Sequence, residues 1–162
     1  ELRAAGESLI PLVREAGGLF FVNDRLDVAL TLEADGLHIG PEDLPVAAVR
    51  KAAPKGFLIG RSADDPQVAL QAVADGADYI GCGTVFSTDT KRDAGAVIGV
   101  EGLRRVVESV SVPVVGIGGI TVERTREVAE AGAAGVAVVS AVMRSADPAA
   151  AVRAMLQGFA NA

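Results

Sequence analysis

The stretch Val114-Val115-Gly116-Ile117-Gly118-Gly119-Ile120-Thr121, with its later echo Val136-Ala137-Val138-Val139-Ser140-Ala141, decides the fold. Each is a buried-type apolar run that breaks into small residues just ahead of a helical pattern. Continuous apolar runs are what parallel strands covered on both faces require. The small residues let a ligand oxygen approach the backbone. The helix behind them offers unpaired N–H groups at the positive end of its dipole. Two such ends on successive strands, the last two of a strand–helix chain, have the form of a phosphate cradle in a (β/α) barrel. The same glycines would also serve tight strand-to-helix turns, which occur throughout α/β folds.

Outward from these two segments, six short apolar runs alternate with helical patterns. Strands are expected near 19–22, 36–39, 57–59, 79–81, 114–117 and 135–139. Helices are expected over 1–16, 25–33, 45–53, 66–75, 100–109, 122–131 and 148–159. Three helix-to-strand junctions resemble one another: Glu33-Ala34-Asp35-Gly36, Asp75-Gly76-Ala77-Asp78 and Ala131-Gly132-Ala133-Ala134-Gly135. Glycine there predicts a left-handed helix cap, and the recurrence reads as stacked βα units with a period of about twenty residues. The expected architecture is an α/β (β/α)8 TIM barrel forming one domain over 1–162, with roughly the first two strands absent from this chain. Six strands fall short of eight, the chain opens in a helix with Leu2, Leu9, Ile10, Leu12 and Val13 on one face, and a barrel normally takes at least about 200 residues. An open six-stranded doubly wound sheet is the structural alternative.

Composition narrows the function class. The 162 residues are 50% hydrophobic and 22% charged, with a net charge of −6, and the pI is near 4.8. That balance argues against nucleic acid or an anionic membrane surface as partner. No apolar stretch approaches the roughly 20 residues of a membrane span. Cys82 is the single cysteine, so no internal disulfide forms and a reducing cytoplasm is the expected home.

The connection over 84–99 is far longer than the usual βα loop. It carries Ser87, Thr88, Asp89, Thr90, Lys91 and Arg92, then the small run Asp93-Ala94-Gly95-Ala96. It leaves the C-terminal end of its strand, where barrels place their chemistry, so it is a candidate lid that closes on an anion; a plain solvated loop is the alternative. Asn23-Asp24 follows the first strand directly, and Asp43 lies a few residues beyond the second. Two carboxylates at neighbouring strand ends suit Mg2+, a hard cation that shares its shell with phosphates and water. Both aspartates could instead cap the helices that follow. Ser62 ends the third strand, where a turn or cap role is the simpler reading. His38 reads as a packed structural histidine without partners, and Cys82 as a small apolar residue near the barrel mouth. The set holds carboxylates, hydroxyls, a lysine and a phosphate cradle but no nucleophile with its base, which suits stabilising a departing phosphate.

These motifs, in this order, resemble the thiamine phosphate synthase (thiamine phosphate pyrophosphorylase) family. The resemblance covers essentially all of 18–160 and is carried by Val22-Asn23-Asp24-Arg25-Leu26-Asp27-Val28-Ala29-Leu30, Ala34-Asp35-Gly36-Leu37-His38-Ile39-Gly40-Pro41-Glu42-Asp43-Leu44-Pro45, Gly76-Ala77-Asp78-Tyr79-Ile80-Gly81, Phe86-Ser87-Thr88-Asp89-Thr90-Lys91, Gly116-Ile117-Gly118-Gly119-Ile120 and Gly135-Val136-Ala137-Val138-Val139-Ser140-Ala141. It implies a transferase on a (β/α)8 barrel that joins 4-amino-2-methyl-5-pyrimidinylmethyl diphosphate to a thiazole phosphate and releases pyrophosphate. Carried over by position, Asp24 and Asp43 are implied as Mg2+ ligands, and Asn23, Ser62 and Lys91 as contacts to the pyrimidine diphosphate. Lys91 and Ser62 are the implied catalytic pair. Thr88, Asp89, Thr90, Gly119, Val139 and Ser140 are implied as the thiazole phosphate site. Partners are then small phosphorylated substrates, with a homo-oligomer possible. The sequence departs from the family pattern at Pro41, where Gln is usual, and at Ser87, where Pro is usual; an N-terminal Gln-Leu-Arg-Glu-Lys-type strand has no counterpart here. A thiazole tautomerase-like isomerase, or a non-catalytic binder of phosphorylated ligands, are the alternative functions.

Overall fold

The structure, a computed structural model, describes residues 1–90, 95–160 and 162. Its elements alternate as expected: α1 (Leu2–Glu15), β1 (Phe21–Asn23), α2 (Leu26–Thr31), β2 (Gly36–Ile39), α3 (Val46–Ala52), β3 (Leu58–Ser62), α4 (Pro66–Ala74), β4 (Tyr79–Cys82), α5 (Gly99–Ser109), β5 (Val114–Ile117), α6 (Thr125–Glu130), β6 (Gly135–Ala137), α7 (Ser140–Met143) and α8 (Pro148–Ala160). The six strands form one parallel sheet in the order β1-β2-β3-β4-β5-β6. Each strand pairs with the next through an intervening helix, as in a curled, TIM-like half-barrel. The doubly wound alternative reverses its strand order at a switch point, and this sheet has no reversal.

Strand parity sorts the side chains. Leu37, Ile39, Ile59, Ile80 and Cys82 are fully buried and belong to one core with helix residues Ala29, Val49, Ala69, Leu103, Val106 and Val128. These alternate strand positions face the helices. Fully burying one such aliphatic side chain stabilises the fold by about 1.5–3 kcal/mol. The intervening positions, including Phe21, His38, Ser62 and Tyr79, are only half-buried and line the concave side.

The repeated junctions set the register. Asp35 N–H donates to Phe20 O at 2.9 Å, Asp78 N–H to Ile59 O at 2.7 Å, and Ala134 N–H to Val114 O at 2.8 Å. The two aspartates return the favour through their carboxylates, Asp35 Oδ2 accepting from Phe20 N–H at 2.7 Å and Asp78 Oδ2 from Ile59 N–H at 2.7 Å. Asp78 also pairs with the Arg50 guanidinium. The cap expectation holds at Gly76 and Gly132, whose φ values are 103° and 90°; in the first junction Glu33 takes the left-handed turn at φ 51°, and Gly36 is already in β2. α7 was not anticipated, and the last strand ends at Ala137 rather than Val139, because Val139 is already the N-cap of α7.

Two glycines clear the concave face. A Cβ at Gly60 would collide with the Tyr79 ring, and one at Gly81 would sit 2.8 Å from His38 Cε1. Gly60→Ala should therefore displace Tyr79 and cost about 1–3 kcal/mol, the usual range for overpacking. Urea unfolding checks it, and an unchanged midpoint would show that the ring moves aside freely.

Candidate functional site

The C-terminal ends of the strands collect the residues that the sequence singled out. β1 ends at Asn23, which lies opposite His38 in the parallel register. Asp24 follows in the left-handed region at φ 64°, a conformation Asp tolerates better than most residues. Its N–H donates to His38 O at 2.8 Å, which ties the turn to β2. The helix behind starts from Arg25, which makes no side-chain cap bond, so Asp24 is not the cap of α2. Arg25 instead forks onto the Asp27 carboxylate at 2.8 and 2.5 Å and lowers that carboxyl's pKa to about 2.

Asp43 closes a turn after β2. Gly40 N–H donates to Asp43 Oδ2 at 2.7 Å, and Asp43 N–H donates to Gly40 O at 3.3 Å. Pro45 precedes α3 without any side-chain cap bond, so capping does not explain Asp43 either. Arg61, one residue before the end of β3, donates to Gly40 O from the other side. Sequence reasoning passed over this arginine, although a cation inside the run Leu58-Ile59-Gly60-Arg61 was a visible break in an otherwise apolar strand. It lines a cleft of about 440 Å³ with Asp43, Pro41 and Gln67.

Ser62 is not a helix cap, since Asp65 caps α4 by accepting from Gln67 N–H at 2.8 Å and Val68 N–H at 3.3 Å. Its hydroxyl lies 2.9 Å from His38 Nε2, and His38 Nδ1 lies 2.9 Å from the Tyr79 hydroxyl. The expectation of a partnerless histidine is thus corrected. His38, Ser62 and Tyr79 come from three adjacent strands, so only tertiary structure brings them together. The Tyr79 ring is further held edge-on by Phe21, centroids 5.5 Å apart. Burial pushes the Tyr79 pKa up to about 12. Burial, then the neighbouring Arg61 charge, lowers that of His38, with Asp43 opposing. Cys82 is fully buried, and its thiol pKa is pushed up to about 12, mainly by burial. It is an inert apolar residue, as expected.

On the opposite side, β5 is followed directly by Gly118 and Gly119, with φ of 100° and 60°. The first leg of the long loop runs beside them, Val85 N–H donating to Ile117 O at 2.9 Å and Phe86 N–H to Gly118 O at 3.0 Å. A Cβ on Gly119 would stand 2.7 Å from Phe86 O. The close approach that requires glycine here is therefore by the chain's own loop. Arg124 locks the corner, its guanidinium 4.5 Å from the Phe86 ring centre and donating to Gly119 O at 2.9 Å. The loop thereby brings Phe86 and Ser87 against Gly119, and Thr88, Asp89 and Thr90 follow directly, with Thr90 N–H donating to Thr88 Oγ1 at 3.2 Å. Val139 precedes α7 and is exposed, and Ser140 opens that helix. Lys91 lies outside the described residues.

Asp24 and Asp43 are the candidate metal ligands. Among the described residues no group of three or more His, Cys, Asp and Glu side chains could hold a metal ion. A donor set of two hard carboxylates at adjacent strand ends fits Mg2+, which takes few protein ligands and completes its shell with substrate phosphate and water.

A family model for thiamine monophosphate synthase matches residues 1–142. The thiamine-phosphate synthase of Moorella thermoacetica is 52% identical over 153 residues, covering 94% of this chain and 73% of that protein. That of Pyrococcus furiosus is 51% identical over 147 residues, covering 91% of this chain and 70% of its own length. The solved structure of thiamine phosphate pyrophosphorylase from Pyrococcus furiosus superposes with a TM-score of 0.89 at 45% identity, over 98% of this chain and 76% of that one.

His38 is the only histidine, so its ring protons titrate without overlap. In metal-free solution the midpoint should fall below about 6.5, the unperturbed value. Between the two values the unfolded chain binds more protons than the folded one. His38's contribution to stability is therefore present above pH 6.5 and lost as pH falls through the folded value. An NMR midpoint at or above about 6.5 would contradict the burial and the Arg61 neighbourhood.

Proposed function

The chain belongs to the thiamine monophosphate synthase family, and we propose that its strand-end residues carry out that family's coupling in the way set out below. It is a transferase of thiamine biosynthesis, which joins 4-amino-2-methyl-5-pyrimidinylmethyl diphosphate to thiazole phosphate and yields thiamine phosphate and pyrophosphate. Relatives about half identical over nine-tenths of the chain do not favour the tautomerase-like or the non-catalytic alternative.

The observation that carries the site reading is the segregation of the candidates. Asn23, Asp24, Asp43 and Ser62 stand at the C-terminal ends of β1, β2 and β3, and Gly119, Val139 and Ser140 stand at those of β5 and β6. The two groups flank the mouth of a parallel half-barrel, the face where such folds do chemistry. In this reading the first group takes the pyrimidine diphosphate and the second, with Thr88, Asp89 and Thr90, the thiazole phosphate.

Asp24 and Asp43 would hold Mg2+, which when bound supplies charge to offset the diphosphate oxygens. Asn23 and Ser62 would hydrogen-bond and orient the diphosphate ester so that its C–O bond points at the thiazole nitrogen. Lys91 would place a compact cation where negative charge gathers as pyrophosphate leaves. The pyrimidinylmethyl cation left behind is then captured by that nitrogen, and no protein nucleophile is needed. Backbone N–H groups at the Gly119 turn and at Ser140 would hold the thiazole phosphate in place. The reading extends to a cytoplasmic enzyme, and to a closed eight-stranded barrel with two further strands between β6 and β1. The exposed Leu2, Leu9 and Leu12 of α1 also fit a homo-oligomer.

Asp24→Asn should weaken Mg2+ affinity by at least about tenfold, a direct ligand mattering no less than its supports, and should leave the fold intact, because Asn adopts the left-handed turn at φ 64° as readily as Asp. Calorimetry of Mg2+ with and without pyrophosphate measures it; parent affinity in a folded variant removes the metal assignment. Lys91→Ala should lower kcat by about a hundredfold, as for loss of one group that stabilises transition-state charge, with the KM for thiazole phosphate nearly unchanged. A variant turning over at the parent rate would reduce the loop to a solvated connection.

A further inference from the structure

His38 and Tyr79 have no part in the reading above, yet three strands are shaped around them. His38 on β2 faces Gly60 across the ladder, and Gly60 faces Tyr79 on β4. Ser62 on β3 faces Gly81 on β4. Side chains at both glycines are excluded by the two rings, Gly60 by Tyr79 and Gly81 by His38. The tyrosine can therefore reach over β3 to His38 Nδ1 at 2.9 Å, while His38 Nε2 reaches the Ser62 hydroxyl at 2.9 Å.

We propose that Tyr79 and His38 are positioning residues that fix the direction of the Ser62 hydroxyl, so that Ser62 donates its proton to an anionic oxygen of the diphosphate substrate. This rests on Ser62 being a diphosphate contact. The direction follows from counting donors. Tyr79 is half-buried against Phe21 and β3, and among the described residues its hydroxyl is hydrogen-bonded to His38. A phenol hydroxyl that donates to Nδ1 satisfies its proton within the protein, whereas one that accepts from Nδ1–H has only solvent to take its own O–H. With Nδ1 accepting, the neutral ring carries its proton on Nε2 and donates to Ser62 Oγ. The serine's own proton is then turned away from the ring, toward the open C-terminal ends of the strands. The reverse tautomer would make Ser62 donate inward and present lone pairs to an anion, which repels it. The pKa of Tyr79, pushed up to about 12, keeps the phenol protonated through the working range.

The test uses the whole chain and begins without substrate. Two-bond 15N–1H spectra of the single histidine should show the Nε2–H tautomer in the parent and a mixture of tautomers in Tyr79→Phe, which keeps the ring packing. Tyr79→Phe should raise the KM for 4-amino-2-methyl-5-pyrimidinylmethyl diphosphate by about two- to tenfold, the range for one hydrogen bond, with that for thiazole phosphate unchanged. Ser62→Ala should raise the same KM, and adding Tyr79→Phe to it should cause no further loss. An Nδ1–H tautomer in the parent overturns the relay. So do additive losses in the double variant while Ser62→Ala retains its own effect, since Tyr79 then acts other than through Ser62. Parent KM in Ser62→Ala overturns the serine's role as a diphosphate contact, and with it the purpose of the relay.

Discussion

Burial of one side of the sheet governs everything else in this molecule. Leu37, Ile39, Ile59, Ile80 and Cys82 are sealed beneath the helices. Because strand side chains alternate with a period of two, sealing those positions forces their neighbours onto the concave face. A slip of one residue in β2 would turn His38 into the core and Leu37 onto the rim, losing about 1.5–3 kcal/mol of burial for a single leucine alone. The aspartate clamps at Asp35 and Asp78 guard against that slip, tying each junction to the start of the preceding strand through backbone and carboxylate together.

The concave face carries what the core could not accept. Its polar groups are kept by pairing with one another, histidine with tyrosine and serine. Its glycines give up side chains so that rings from neighbouring strands can cross. No side-chain nitrogen or oxygen among the buried described residues is left without a hydrogen-bond partner, which is the condition for such groups to sit under a sheet without a heavy desolvation cost.

An acidic chain of net charge −6 with phosphorylated substrates needs local means of holding anions. Long-range attraction points the wrong way. In the proposed reading those means would be of short range: a cation shared between two aspartates, a lysine on the loop, and backbone N–H groups where strands turn into helices. The first leg of the long loop is anchored by pairing with the end of β5 and by Arg124 stacked on Phe86, so Thr88 and the residues after it start from a fixed point.

The sequence by itself determined the strand–helix alternation, the parallel character of the strands and the family. These rest on apolar periodicity and on short motifs, both of which are local. It also marked Asn23, Asp24, Asp43, Ser62 and the Gly118-Gly119 turn as strand-end residues, because a strand end is legible where an apolar run stops. It could not show that His38 has partners, since Ser62 and Tyr79 lie on other strands and meet it only through the register of β2, β3 and β4. It could not show that Gly60 and Gly81 stand empty for two rings, or that Gly119 makes room for the chain's own loop, because a missing side chain looks the same in sequence whether it serves a turn, a neighbour or a ligand. Nor could it place the left-handed turn at Glu33, where the position in the junction overrode the usual preference for glycine. Period and composition are written residue by residue along the chain; contact across strands is written only when the sheet closes its register.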